Sequence, residues 1–303
     1  MKILIFAIFY LFTGSINFSQ DLNSAKDLLQ NNKLAEAKST LNKLIKNDKN
    51  NAEAHFYLGK TLLRMKEYED ASDEFETAIK INWNNADYHF WFAQAMGADA
   101  VNSGILTKIK LAPKIKDEYM KTVKINPSHV EGRIGLINFY RMAPGIMGGS
   151  MEKAYREAKI LIGYDEKAGH SQLATLYVAD KNNAKAEEEF KFLESKYGND
   201  KEFSNLYNSY GYFLLNNARV NDAIQKFKKQ VELDPNNPNS YDSLGDGYLA
   251  AGNKTEAILQ FKKALEIDPN FTASQKKLKD LGGWINKYLM KSNLKYKLPN
   301  LRE

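Results

Sequence analysis

His55 and His89 stand 34 residues apart, and two imidazoles at one recurring helical position are the nearest this chain comes to a metal-binding arrangement. A protein zinc site draws at least three ligands from side chains. The corresponding place one repeat further on offers only Glu131, and the chain has no cysteine. Both histidines are therefore expected to pack where a large aromatic would otherwise sit, and neither a metal nor a cofactor is expected. His129 and His170 have no partner at catalytic spacing. No Gly-x-Ser-x-Gly elbow, His-Glu-x-x-His helix or Ser/Lys dyad occurs, so the expectation is that the protein is not an enzyme.

The segment 143–150 is the other place where chemistry could gather. Gly148 and Gly149 precede Ser150, a residue that can cap a helix, and Pro144 and Gly145 turn the chain ahead of them. Backbone N–H groups next to adjacent glycines, together with a helix N-terminus, are the elements of an anion nest. The segment lacks the Gly-Lys-Ser/Thr of a nucleotide loop and follows a helix instead of a strand. Two readings stand side by side: a weak anion site, and a compact turn that lets a longer helix pair close.

The elements that must position these residues announce themselves by periodicity. Small residues return at Ala25, Gly59, Ala93, Gly135, Ala174, Gly211 and Gly245. Twelve residues later, in five of these seven, comes an alanine: Ala37, Ala71, Ala186, Ala223 and Ala257. Four residues on, an apolar knob follows at Leu41, Phe75, Phe190, Phe227 and Phe261. The spacing predicts pairs of helices whose small residues let two backbones approach to about 8 Å. Each pair exposes an apolar face that only the next can cover. Pro127, Pro235 and Pro269 end the second helices of their pairs. The third and fourth units break the spacing, with 22 residues from Ala93 to the matching slot at Ile115 and 19 from Gly135 to Ala154. Both excesses are expected to form long loops, side by side, between the two helices of their pairs.

The stretch SYDSLGDGYLAAGNKTEAILQFKKALEIDPN, residues 240–270, resembles the tetratricopeptide repeat. Tyr241, Leu244-Gly245, Tyr248, Ala257, Phe261, Ala264 and Asp268-Pro269 occupy that pattern's signature places. The resemblance implies an all-α, right-handed solenoid of about seven antiparallel helix pairs. Their approximate bounds are 20–51, 52–85, 86–127, 128–166, 167–203, 204–237 and 238–271, with a capping helix over 272–281. Residues 86–160 also resemble a subset of these proteins that carry a Pro-Gly-x-x-Gly-Gly loop in a mid-array repeat, a likeness that brings no activity with it. In this family the first helices line a concave groove. The resemblance places there Phe56, Lys60 and Arg64, then Phe90 and Gln94, then Arg133, Leu136 and Tyr140. Further along it places Gln172, Asn208, Tyr212, Asp242 and Asp246. It implies a non-enzymatic scaffold that holds a peptide or protein partner. The Lys/Asn clamp that some members close on a terminal carboxylate is not matched.

Charge narrows the partners. Of 43 basic and 37 acidic side chains, eight basic and two acidic lie from Thr272 onward, which leaves 35 of each in the body. A body without net charge has no field to steer a polyanion, so nucleic acid is not expected. The tail 282–303 carries Lys287, Lys291 and Lys295 along one side and supports a second reading, an envelope accessory protein docking on an anionic membrane surface. At the other end Lys2 precedes an apolar run over 3–12, the layout of a signal peptide cleaved after Ser19. Such a run spans about 15 Å as a helix, half a bilayer core, and retention as an anchor is the alternative. Export to the periplasm or beyond is expected.

Overall fold

The computed structural model describes residues 21–282. The expected leader at 1–19 and the tail from 283 lie outside them. Backbone contacts divide the chain into two compact units, 1–176 and 177–303. The first holds α1 (21–30), α2 (Leu34–Asn47), α3 (Ala52–Arg64), α4 (Tyr68–Ile81), α5 (Ala86–Asn102), α6 (Ile105–Ile125), α7 (Val130–Met142) and α8 (Met151–Ile162). The division falls inside α9 (Glu166–Ala179). The second unit holds α10 (Asn183–Tyr197), α11 (Ser204–Asn216), α12 (Val220–Leu233), α13 (Pro238–Ala250), α14 (Lys254–Ile267) and α15 (Thr272–Asp280). From α2 to α8, and again from α10 to α15, successive helices pack on each other, and alternate helices touch, as α3 does α5 and α11 does α13. No strand occurs among the described residues, and the chain is an all-α helical-repeat solenoid in class.

Five of the pairs turn from first helix to second in the same way. The chain bends through one left-handed residue, Asn32, Lys66, Lys181, Ala218 or Gly252, with φ between 58° and 75°. The residue immediately after it closes the turn in a Schellman motif: the amides of Lys33, Glu67, Asn182, Arg219 and Asn253 donate to the carbonyls of Leu28, Leu62, Tyr177, Leu214 and Tyr248 at 2.8–2.9 Å. Only Asn32 and Gly252 suit that backbone; Lys66, Lys181 and Ala218 hold it against the steric preference of an L residue.

The packing inside a pair is set by an aromatic ring lying where a side chain would be. A Cβ added to Gly59 would stand 2.8 Å from the Phe75 ring, one on Gly211 2.3 Å from Phe227, and one on Gly245 2.4 Å from Phe261. The three phenylalanines are fully buried, as are Ala37, Ala71, Ala186, Ala223 and Ala257 on the second helices. Glycine weakens an isolated helix, so these three positions trade helix propensity for ring burial.

The third and fourth pairs depart from the sequence expectation in two ways. The ten extra residues of the third pair are not a loop. They lengthen α5 to 17 residues and α6 to 21, where α3 and α4 have 13 and 14, and leave a tight turn at 103–104. The run AQAMGADA contains no breaker strong enough to stop a helix before Ser103-Gly104, so propagation wins. The fourth pair keeps its loop, 143–150, but its phase differs from the one the glycine suggested. Eight residues after the N-cap, where α3, α11 and α13 carry glycine and α5 carries Ala93, α7 carries Ile137, and the second-helix knob is Ala158. Bulk has been exchanged between the helices at constant volume, and both residues are fully buried. Gly135 instead makes room for the preceding pair, since a Cβ there would stand 2.4 Å from Tyr119.

Replacing Gly211 by Leu is expected to overpack α11 on α12 and cost about 1–3 kcal/mol or more, read as a fall in the denaturant midpoint. Ala218→Gly should act in the opposite direction, raising stability by up to about 1 kcal/mol through relief of the left-handed backbone. A neutral Gly211→Leu, or a destabilising Ala218→Gly, would show that these contacts are misassigned.

Candidate binding surface

The two histidines are stapled from both sides. His55 Nε2–H donates to the Lys49 carbonyl at 3.1 Å, and Nδ1 meets Glu74 at 2.5 Å. His89 repeats the pattern with the Trp83 carbonyl at 2.8 Å and Glu118 at 2.5 Å. A carbonyl can only accept, so Nε2 of each ring donates to the backbone while Nδ1 is held against the carboxylate. The fourth pair shows what the slot is built for. Arg133, four residues after its N-cap as the histidines are, donates to Glu157 at 2.6 Å and to the Pro127 carbonyl at 2.9 Å. In these three pairs the slot holds a nitrogen donor that ties the start of the first helix to a glutamate on the second. Both faces of each imidazole are occupied, and no group of three or more metal-ligating side chains occurs among the described residues.

The loop 143–150 is a closed turn. The amides of Met147 and Gly149 donate to the Pro144 carbonyl at 2.8 and 3.2 Å, Gly148 to Gly145 at 3.0 Å, and Ser150 to Tyr140 at 2.8 Å. Those four N–H groups are spent on the chain itself, so the nest that the glycines suggested does not form. Ser150 caps α8 through the Lys153 amide at 3.3 Å. Gly149 is required because a Cβ would stand 1.7 Å from the Ala143 oxygen, and Gly148 adopts φ 96°.

The groove positions drawn from the resemblance separate into three kinds. Phe56, Phe90, Leu136 and Tyr140 are buried; Phe56 packs on Tyr88 at 4.9 Å and Phe90 on His129 at 5.1 Å. Arg133 is buried in its ion pair and presents no surface. By N-cap count the fourth-pair places matching Phe56, Lys60 and Arg64 are Ile134, Asn138 and Met142, one residue on from the expected Arg133 and two on from Leu136 and Tyr140.

In the second unit the polar positions hold one another. Asn208 donates to Ser243 at 2.7 Å and Tyr212 to Asp246 at 2.7 Å. Lys277 of α15 reaches both Asp242 and Asp246 at 2.7 Å, and Ser274 donates to Asp242 at 2.6 Å. Burial and the Asp246 carboxylate push the Tyr212 phenol well above its ordinary range. Lys277, within the expected capping helix, is thus a structural cation that fastens that helix to α13.

What stays open lies on the first unit. Lys60 is half-buried with its ammonium 4.5 Å from the Trp91 ring centre and 5.5 Å from Phe56, and it makes no ion pair among the described residues. Burial lowers its pKa, and the neighbouring Arg64 lowers it further against the pull of Asp87. Arg64 is exposed and also donates to the Leu29 carbonyl, capping α1. Gln94 and Gln172 are half-buried. Lys26 sits over Tyr57 at 4.7 Å, one repeat before Lys60 over Trp91, so the two cation–π contacts form a short ladder. Sequence reasoning missed Tyr57 and Trp91, although two aromatics at the repeat spacing were the available signal.

The buried staple fixes a pH dependence. Burial opposes ionisation of Glu118, but hydrogen bonds from His89 and Lys121 outweigh it and hold the carboxyl below the usual glutamate range. A depressed folded value stabilises fully above the unfolded value of about 4.3 and loses that stability as pH falls through the folded one. Glu118→Gln should therefore melt earlier than the unaltered protein at pH 7, with the gap closing toward pH 3. A gap of constant size across that range would show that the charge of Glu118 contributes nothing.

Comparison with known proteins supports the same architecture. Family models described as tetratricopeptide repeat match residues 22–86 and 238–271. No curated protein matches the chain. A tetratricopeptide repeat protein of Parabacteroides merdae is similar in structure, with a TM-score of 0.63 and 19% identity over 86% of this chain and 97% of that one. The C-terminal part of a repeat-containing protein of Cytophaga hutchinsonii is similar at a TM-score of 0.52 and 16% identity, covering 85% and 99%. At these identities the likeness is one of fold. Proteins built from this repeat are generally non-enzymatic scaffolds for protein–protein interaction. Residues 22–86 and 238–271 are thus similar to the tetratricopeptide repeat, set in an all-α helical-repeat fold.

Proposed function

We propose that this protein is an exported, non-enzymatic scaffold that captures an extended peptide or protein segment on the face of α3 and α5. The export part rests on Lys2 and the apolar run behind it. The observation that carries the binding part is the Lys60 ammonium, half-buried over Trp91 and Phe56 without an ion-pair partner among the described residues. A cation kept part-dry on aromatic rings has lost hydration that a ligand carboxylate would restore. Tyr57, Trp91, Arg64 and Gln94 surround it with the residue types that dominate binding hot spots and with an amide able to pair with an extended backbone. The partner segment is therefore acidic, with an Asp or Glu side chain on Lys60 and an apolar neighbour on Trp91.

Selection from a random peptide library against the purified protein should enrich acidic segments. Lys60→Glu should weaken them by about tenfold or more, and Trp91→Ala by a comparable factor, while far-UV circular dichroism stays helical. Selected peptides that bind both variants unchanged would place recognition elsewhere.

A further inference from the structure

The extra length of α5 and α6 carries their shared turn about 6–10 Å beyond the turns of ordinary pairs. A projecting turn in water should be polar, and this one is not. Val101, Ile105, Leu106 and Ile109 are all exposed there, Leu106 at 79%. The neighbouring loop adds Met142 and Ile146, the latter 94% exposed, and Lys116 of α6 lies against Gly148 of that loop, which places the two elements side by side. Ile105 and Ile109, one turn apart, continue outward the same face of α6 that is buried further along at Ala112 and Tyr119, and Leu106 stands beside them, so the apolar stripe runs out past the part of the helix that its neighbours cover.

The charge around this apolar edge is mostly positive. Asp99 accepts from the Ser103 hydroxyl at 2.8 Å at the turn itself, but 100–116 and 132–151 contain no Asp or Glu, while Lys108, Lys110, Lys114, Lys116 and Arg141 fall within them. Lys114 pairs with Glu76 and Lys116 with Asp117, but Lys108 and Lys110 are exposed and form no ion pair among the described residues. Apolar side chains at a tip with unpaired lysines at its collar match the cross-section of an anionic bilayer surface: acyl chains below, phosphates above. No described helix is long and apolar enough to cross a membrane, so the element would lie in the interface and not span it.

We propose that the α5–α6 turn is a membrane-surface anchor, in which Ile105, Leu106 and Ile109 enter the acyl boundary of an anionic leaflet while Lys108 and Lys110 meet the headgroup phosphates. This anchor is distinct from the lysine-rich tail and from the α3–α5 peptide face. The absence of cysteine makes the test direct. Leu106→Cys in the full chain carries an environment-sensitive fluorophore, with exposed Ser195→Cys as the control site. Vesicles of phosphatidylglycerol and phosphatidylethanolamine should blue-shift the label at 106 and leave that at 195 unchanged, and phosphatidylcholine vesicles should shift neither. Adding Ile105→Asp with Ile109→Asp should abolish the shift, and Lys108→Glu with Lys110→Glu should weaken vesicle affinity about tenfold or more. The proposal is overturned if the label at 106 stays in water on bound vesicles, if it responds equally to neutral lipid, or if it shifts with protein concentration alone, which would mark a contact between copies of the chain.

Discussion

A phenylalanine ring resting on a helix backbone that has no side chain is the contact on which the architecture depends. Phe75, Phe227 and Phe261 occupy the volume that a Cβ on Gly59, Gly211 or Gly245 would need. The interior is close-packed, so the ring and the missing side chain must be chosen together. The fourth pair proves the rule by reversing it: Ile137 supplies the bulk and Ala158 yields the space. What the fold conserves along its length is filled volume between two helices, and the helix that contributes it is free to change.

A second constraint is electrostatic and equally periodic. His55, His89 and Arg133 sit at the same count from their N-caps, each bridging a carbonyl before the helix and a glutamate on the next one. In the second unit Lys277 does the comparable work between Asp242 and Asp246. Removing one partner from such an arrangement leaves a charge in a poorly solvated place, which makes these groups costly to lose and poorly available to a ligand. Histidines, an arginine and aspartates that look reactive in a list of residues are thereby committed to joining helices.

Function is left to the groups that packing does not consume. On the first unit these are the lysine over Trp91, the neighbouring exposed arginine, and the apolar lysine-collared turn between α5 and α6. They differ in kind. One is a cation held near aromatic rings, suited to a single carboxylate; the other is a set of exposed aliphatic chains with lysines in excess over carboxylates beside them, suited to an extended surface. Both arise where the repeat pattern permits a residue that the neighbouring pair does not cover.

The one-dimensional record was sufficient for the class of fold, because small residues, alanines and apolar knobs recur at fixed spacing and only stacked helix pairs satisfy that recurrence. For the histidines it offered only the lack of a further ligand in the matching slot; their joining of a carbonyl to a glutamate on the next helix came from the folded chain. Three things required the folded molecule. Whether ten inserted residues loop out or lengthen two helices depends on whether helix propagation continues through them, which repeat spacing does not encode. Whether Gly135 marks the slot or clears space for Tyr119 is a choice between partners on different helices, and glycine looks the same in either role. Whether Arg133, Asp242 or Lys60 is free depends on which opposite charge lies within about 4 Å after folding. Periodicity reports which residues share a face; only the packed chain decides which of them still face solvent.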